Sequence, residues 1–190
     1  MSYSYHKPFH GVIAHVLYIV ATLSLGFYVG TNYYHYGPFF EPVTKAIAHM
    51  HPTSNSNVRG TIIFEQQKEG VHVTGQIHNL TPGKHGFHVH EHGDSSCADG
   101  MCTGDHFNPT KTRHGGLDSK DRHVGDFGNV EADENGTATL DFVAKNLQLN
   151  GPLNILGRAL IVHADTDDLV SQPSGNSGKR IGCGVIGRTK

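Results

Sequence analysis

The sequence predicts an all-β domain, an eight-stranded Greek-key sandwich or flattened barrel with a long inserted loop, preceded by one hydrophobic helix. Three observations predict it. Short runs in which apolar and polar residues alternate recur from residue 44 to 187, bounded by Gly, Pro, Asn and Asp. The composition, with 24 glycines, no tryptophan and 8% aromatics in 190 residues, suits a turn-rich β protein better than a helical one. The one long run free of Asp, Glu, Lys and Arg and mostly apolar, residues 12–30, lies outside that pattern.

Residues 1–11 form a short polar and aromatic tail with a single lysine, Lys7. VIAHVLYIVATLSLGFYVG, residues 12–30, has no Asp, Glu, Lys or Arg and is long enough to span a bilayer core as a helix. Residues 31–42 are a linker whose Tyr33, Tyr34, Tyr36, Phe39 and Phe40 suit a membrane interface. No small-x-small cleavage site follows closely, which favours a signal-anchor with the C-terminal domain outside the cytoplasm. A secretory signal removed by cleavage is the alternative.

Residues 43–190 carry the strands. TKAIAHM (44–50) precedes the loop HPTSNSN, and VRGTIIFEQ (58–66) and VHVTGQIHN (71–79) flank a turn at Lys68-Glu69-Gly70. Thr81-Pro82-Gly83 turns the chain into HGFHVHE. FGNVEA and TATLDFVA enclose Glu134-Asn135-Gly136, a strong hairpin signal. GRALIVH and CGVIG supply the seventh and eighth strands. Asn79 and Asn135 begin formal glycosylation sequons. The net charge of −2 and the absence of a basic block argue against a nucleic-acid partner.

The chemistry concentrates in residues 85–126. In HGFHVH, alternation puts His88 and His90 on one face of a strand and Phe87 and Val89 on the other. His106, His114, His123 and Asp126 follow in a loop with no apolar period, too long for an ordinary turn. Three imidazoles and a carboxylate make a complete zinc set. His163, ending the run ALIV, completes a nitrogen-only set with His88, His90 and His106 that suits copper. His106 then serves both sets, which the two nitrogens of an imidazole allow. Ligands spread over 88–163 can be gathered only by a defined fold.

The segments GFHVHEHGD, HFNP, RHGG, DRHVGDFGN, GRALIVHADTDDL, SGNSGKR and GCGVIG resemble the copper/zinc superoxide dismutase family, over residues 43–190. TKAIAHM is similar to the family's first strand. The resemblance implies a metal-binding loop and an antioxidant enzyme that converts superoxide to dioxygen and hydrogen peroxide at a redox-cycling copper. It implies copper on His88, His90, His106 and His163, and zinc on His106, His114, His123 and Asp126. His106 is the bridge and a participant in catalysis. Arg180 matches the arginine that receives the anion, and Asp167 the aspartate that links the two sites. The family also bridges a cysteine of the metal loop to one near the C-terminus. Cys183 matches the latter, and Cys102 is favoured as its partner over Cys97.

Two departures from the family bear on function. Only VSQPS, 170–174, remains of a usually longer charged loop. His92 and Arg188 stand where family dimers pack apolar residues, which weakens the expectation of a homodimer. A copper store or delivery domain with this fold is the competing reading. The complete ligand set and Arg180 favour the enzyme.

Overall fold

The computed structural model describes residues 18–25, 27, 28 and 41–190. Of the proposed anchor 12–30, residues 12–17, 26, 29 and 30 lie outside the described residues. Residues 18–25, 27 and 28 are helical and exposed, and Thr22 returns its hydroxyl to the carbonyl of Tyr18 at 3.0 Å. Among the described residues no helix is long and apolar enough to cross a membrane. The linker 31–42 is described only at its last two residues.

Residues 43–190 form one compact all-β unit. Its strands are β1 (Lys45–Pro52), β2 (Arg59–Gln67), β3 (Gly70–His78), β4 (Gly83–His90), β5 (Asp126–Ala132), β6 (Ala138–Ala144), β7 (Ala159–His163), β8 (Arg180–Val185) and the two-residue β9 (Gly187–Arg188). They pair in the order β2-β3-β6-β5-β4-β7-β8-β1-β9, and a further β1–β2 pairing closes the sheet into a barrel. All named pairings are antiparallel, and the β3–β6 and β4–β7 neighbours are Greek-key connections. Closure leaves no long unpaired edge.

Alternation builds the core. Ala46, Ala48 and Met50 of β1, Ile62 and Phe64 of β2, Val71, Val73 and Ile77 of β3 and Phe87 and Val89 of β4 all point inward. Burying each larger side chain stabilises the fold by roughly 2–3 kcal/mol. Because Phe87 and Val89 face in, His88 and His90 emerge on the opposite face of β4.

The C-terminal strand starts earlier than CGVIG suggests. β8 begins at Arg180, and Ile186, fully buried, separates it from β9. The backbone of Ile186 instead bonds Gly157 and Arg158, which takes it out of the ladder. The cysteine pairing also differs from the expected Cys102–Cys183 or Cys97–Cys183 bridge. Cys97 is joined to Cys102, and Cys183 is a buried free thiol. The physical reason is local. Gly100, with positive φ, and the 3-10 turn Met101–Thr103 fold the chain back and bring the two α-carbons to 5.4 Å.

Candidate metal centre

The long loop is tied to the barrel where it carries ligands. Phe107 donates to Val89 O at 2.8 Å, Glu91 to Asp105 O at 2.9 Å, and Gly125 to Phe107 O at 2.9 Å. His106 is thereby bridged across to His90 at the end of β4. β7 delivers His163, and β5 begins at Asp126. Two glycines permit the packing. A β-carbon on Gly86 would meet the Ser177 side chain at 2.6–2.7 Å, and one on Gly175 would strike the Asp167 carboxylate and the His114 ring.

The structure brings together every ligand expected from the sequence. The donor atoms of His88, His90, His106 and His163 lie within 4.8 Å of one another, and so do those of His106, His114, His123 and Asp126. All seven residues are buried. Asp126 carboxylate oxygens lie 2.8 Å from His106 Nδ1, 3.0 Å from His114 Nδ1 and 3.3 Å from His123 Nδ1. His90 Nε2 and His163 Nε2 are 3.4 Å apart. Ligands about 2.0 Å from a tetrahedral ion stand about 3.3 Å from each other, so both sets have the size of a first-row cation.

Hydrogen bonds fix which nitrogen is left to ligate. His88 spends Nε2 on Asp167 at 2.8 Å, and His90 and His163 spend Nδ1 on the carbonyls of Gly104 and Gly178. His88 Nδ1, His106 Nε2, His114 Nδ1 and His123 Nδ1 remain without a hydrogen bond, although the last two lie within ion-pair distance of Asp126. Buried ring nitrogens that converge without partners fit metal ligation and little else.

The electrostatics agree. Burial lowers the pKa of His88 to about 4, partly opposed by Asp167. Burial, then neighbouring imidazoles, hold His90 and His163 well below their usual range, so His88, His90 and His163 are neutral. Burial would raise Asp126 and Asp167, but hydrogen bonds from histidines outweigh it and keep both carboxylates ionised. Burial would lower His114, but Asp126 and Asp167 outweigh it and raise it to about 9. A cation taken up at His114 therefore displaces a proton.

Asp167 joins the two sets, with its second oxygen 2.9 Å from His114 Nε2. Three supports escaped the sequence reading. Asn129 clamps the Asp167 backbone with bonds of 2.8 and 2.9 Å. The Arg122 guanidinium is buried and donates to the carbonyls of His123 and Asp126. Gln172, inside the shortened 170–174 segment, bonds both the N–H and the carbonyl of His114. His85 is a fourth, bridging the carbonyls of His163 and Thr81 at 2.8 Å each. The Asn129, Gln172 and His85–His163 contacts join residues distant in the chain and have no sequence signal, whereas Arg122 turns back onto its own neighbours.

Arg180 reaches the open side of the copper-type set. Its Nη1 donates to Gly100 O and Thr103 Oγ1, and its Nη2 to Gly104 O, at 2.7–2.8 Å. A cleft of about 490 Å³ is lined by Arg180 together with His90, His106 and His163.

Comparison with known proteins agrees with this geometry. Residues 58–186 match the family model described as copper/zinc superoxide dismutase. The chain is 45% identical over 152 residues to an extracellular copper/zinc superoxide dismutase of Brugia pahangi, covering 74% of each chain. It is 52% identical over 146 residues to the copper/zinc enzyme of Paramecium bursaria Chlorella virus 1, covering 70% of this chain and 74% of that one. A copper/zinc superoxide dismutase of Arabidopsis thaliana is 46% identical over 142 residues, covering 70% of this chain and 85% of the relative. The solved structure of the clock protein EA4 superposes with a TM-score of 0.72 at 44% identity, over 79% of this chain and 98% of that one. The chain belongs to the copper/zinc superoxide dismutase family: it is an enzyme that dismutes superoxide, with copper and zinc as its cofactors.

Proposed function

We propose that His88, His90, His106 and His163 hold the copper, that His106, His114, His123 and Asp126 hold the zinc, and that Arg180 docks superoxide. The observation that carries this reading is the group of buried, unpaired ring nitrogens in the two sets. Each unsatisfied group costs roughly 1–3 kcal/mol, which a cation at the centre of its set removes.

Copper supplies the one-electron couple that oxidises one superoxide to dioxygen and reduces the next to peroxide. The residues of the chain do the rest. Arg180 keeps its charge at any working pH, and its bonds to neutral acceptors leave that charge uncancelled by a contacting carboxylate. His106 presents Nε2 to the copper set while Nδ1 stays beside Asp126. Nε2 is thus the atom placed to hold a proton and pass it to departing peroxide. Asp167 orients His88 and His114 at once, and such partners tune ligand basicity.

The test is His163→Ala. Copper binding and turnover are lost while zinc is retained. Turnover that survives would remove His163 from the copper site.

We further propose that the domain 43–190 works outside the cytoplasm, delivered by 12–30, through linker 31–42. The charge-free run supports a retained signal-anchor, with 1–11 as the opposite tail. The extracellular name of the Brugia relative supports secretion after cleavage. N-terminal sequencing of the mature protein and its partition into membranes decide between the two. A homodimer formed through the family's usual face would have to cover His92 and Arg188, both exposed, and sedimentation velocity reads it.

A further inference from the structure

The charges around the cleft come from three segments. Lys179 precedes β8 and Arg180 begins it, Glu91 and Asp105 flank the His90–His106 bridge, and Lys111 enters from the loop after His106. The shortened segment 170–174 lines the cleft only through Pro173 and Ser174 and adds no charge. Three cations therefore oppose two carboxylates, and without Lys111 the rim would be balanced.

Lys111 is held for this position. Its φ is 53°, a left-handed conformation that costs a non-glycine residue roughly 1 kcal/mol or more. A clamp maintains it: Lys111 N donates to Asn108 O at 3.2 Å, and Asn108 Oδ1 and Nδ2 bond Thr112 N and O at 3.0 and 2.9 Å. Asn108 lies two residues from His106 and lines the same cleft, so the turn is indexed to the bridging ligand. Lys111 is exposed, and among the described residues it makes no ion pair. Its charge is free to act on an approaching ion.

We propose that Lys111 is an anion-guiding residue for superoxide, acting on the same cleft as Arg180, where the 170–174 segment supplies no cation. The inference rests on copper being held by the His88, His90, His106 and His163 set. A small monoanion entering a cleft with low-dielectric walls is captured in proportion to the local potential, and one net charge decides the sign here. Lys111 touches no reacting atom, so it changes the encounter and not the chemistry.

The test compares wild type with Lys111→Gln, Lys111→Glu and Lys111→Arg in the copper- and zinc-loaded protein. At an ionic strength of about 10 mM, K111Q is expected to lower kcat/KM about two- to threefold, K111E about five- to tenfold, and K111R hardly at all. At about 0.5 M salt, where the Debye length is a few ångströms, the differences vanish. Azide affinity, followed by absorption, should weaken by a similar factor at low salt, with metal content and Tm unchanged. Unchanged rates, salt slopes and azide affinity in K111Q and K111E would overturn the proposal. A fully loaded wild type that fails to turn over superoxide contradicts the copper assignment instead, and the azide titration still decides for Lys111.

Discussion

Arg180 stands directly across the β7–β8 ladder from His163, at a bulge between Val162 and His163. The pairing places the guanidinium in the cleft lined by His90, His106 and His163, and the 100–104 segment then fixes its direction. Arg180→Gln should lower kcat/KM about ten- to a hundredfold with metal content intact. Arg180→Lys should recover only part of the loss, because an ammonium cannot reproduce the fork that holds three acceptors. Kinetics at several ionic strengths would check both, with the wild-type salt dependence absent from R180Q.

Asp167 is the mechanical link between the sites. Asp167→Asn removes the charge while keeping the shape, and only one of the two imidazole N–H donors can still be well accepted. Zinc affinity should fall about ten- to a hundredfold, read by chelator competition. Gly175→Ala should resemble it, since the added carbon would push Asp167 away from His114.

The cysteines give a covalent test. Proteolysis under non-reducing conditions should release a Cys97–Cys102 linked fragment, and Cys183 should react with iodoacetamide only after unfolding. The bridge closes a small loop, so its removal by Cys97→Ser/Cys102→Ser should cost about 2 kcal/mol by the chain-entropy estimate. A Cys102–Cys183 or Cys97–Cys183 fragment would contradict the pairing.

Metal-free protein should show a stability maximum near neutral pH. His88, His90 and His163 have folded pKa values below the unfolded value of about 6.5, so they stay neutral while the unfolded chain takes up protons. Their contribution is present above about 6.5 and lost as pH falls toward 4, on the order of 3 kcal/mol for His88 alone. His114 has the opposite sign. Its folded pKa of about 9 gives stability that is complete below about 6.5 and lost as pH rises through 9. Urea unfolding of the apo protein across pH 4–10 would read both limbs.

The two clusters of candidate ligands were legible because their chemistry is carried by residue type and spacing. His88 and His90 share a strand face by period, and His106, His114, His123 and Asp126 sit in one loop whose composition excludes a core. The supports were not legible. Arg122 and Gln172 look like solvated surface residues, and only the fold turns them onto the backbones of His123 and His114. The Cys97–Cys102 pairing of the structure was not legible because sequence carries no sign of the 3-10 turn that brings the two residues together. The start of β8 was placed late because Arg180 and Gly182 carry no strand signal, whereas their pairing with His163 and Val162 extends the ladder through them.

The most direct measurement is the copper and zinc content and the superoxide dismutation rate of one sample, for wild type and for His163→Ala. The account predicts about one copper and one zinc per wild-type chain with fast turnover, and zinc without copper or turnover in the variant. Equal copper content and equal turnover in the two proteins would contradict it.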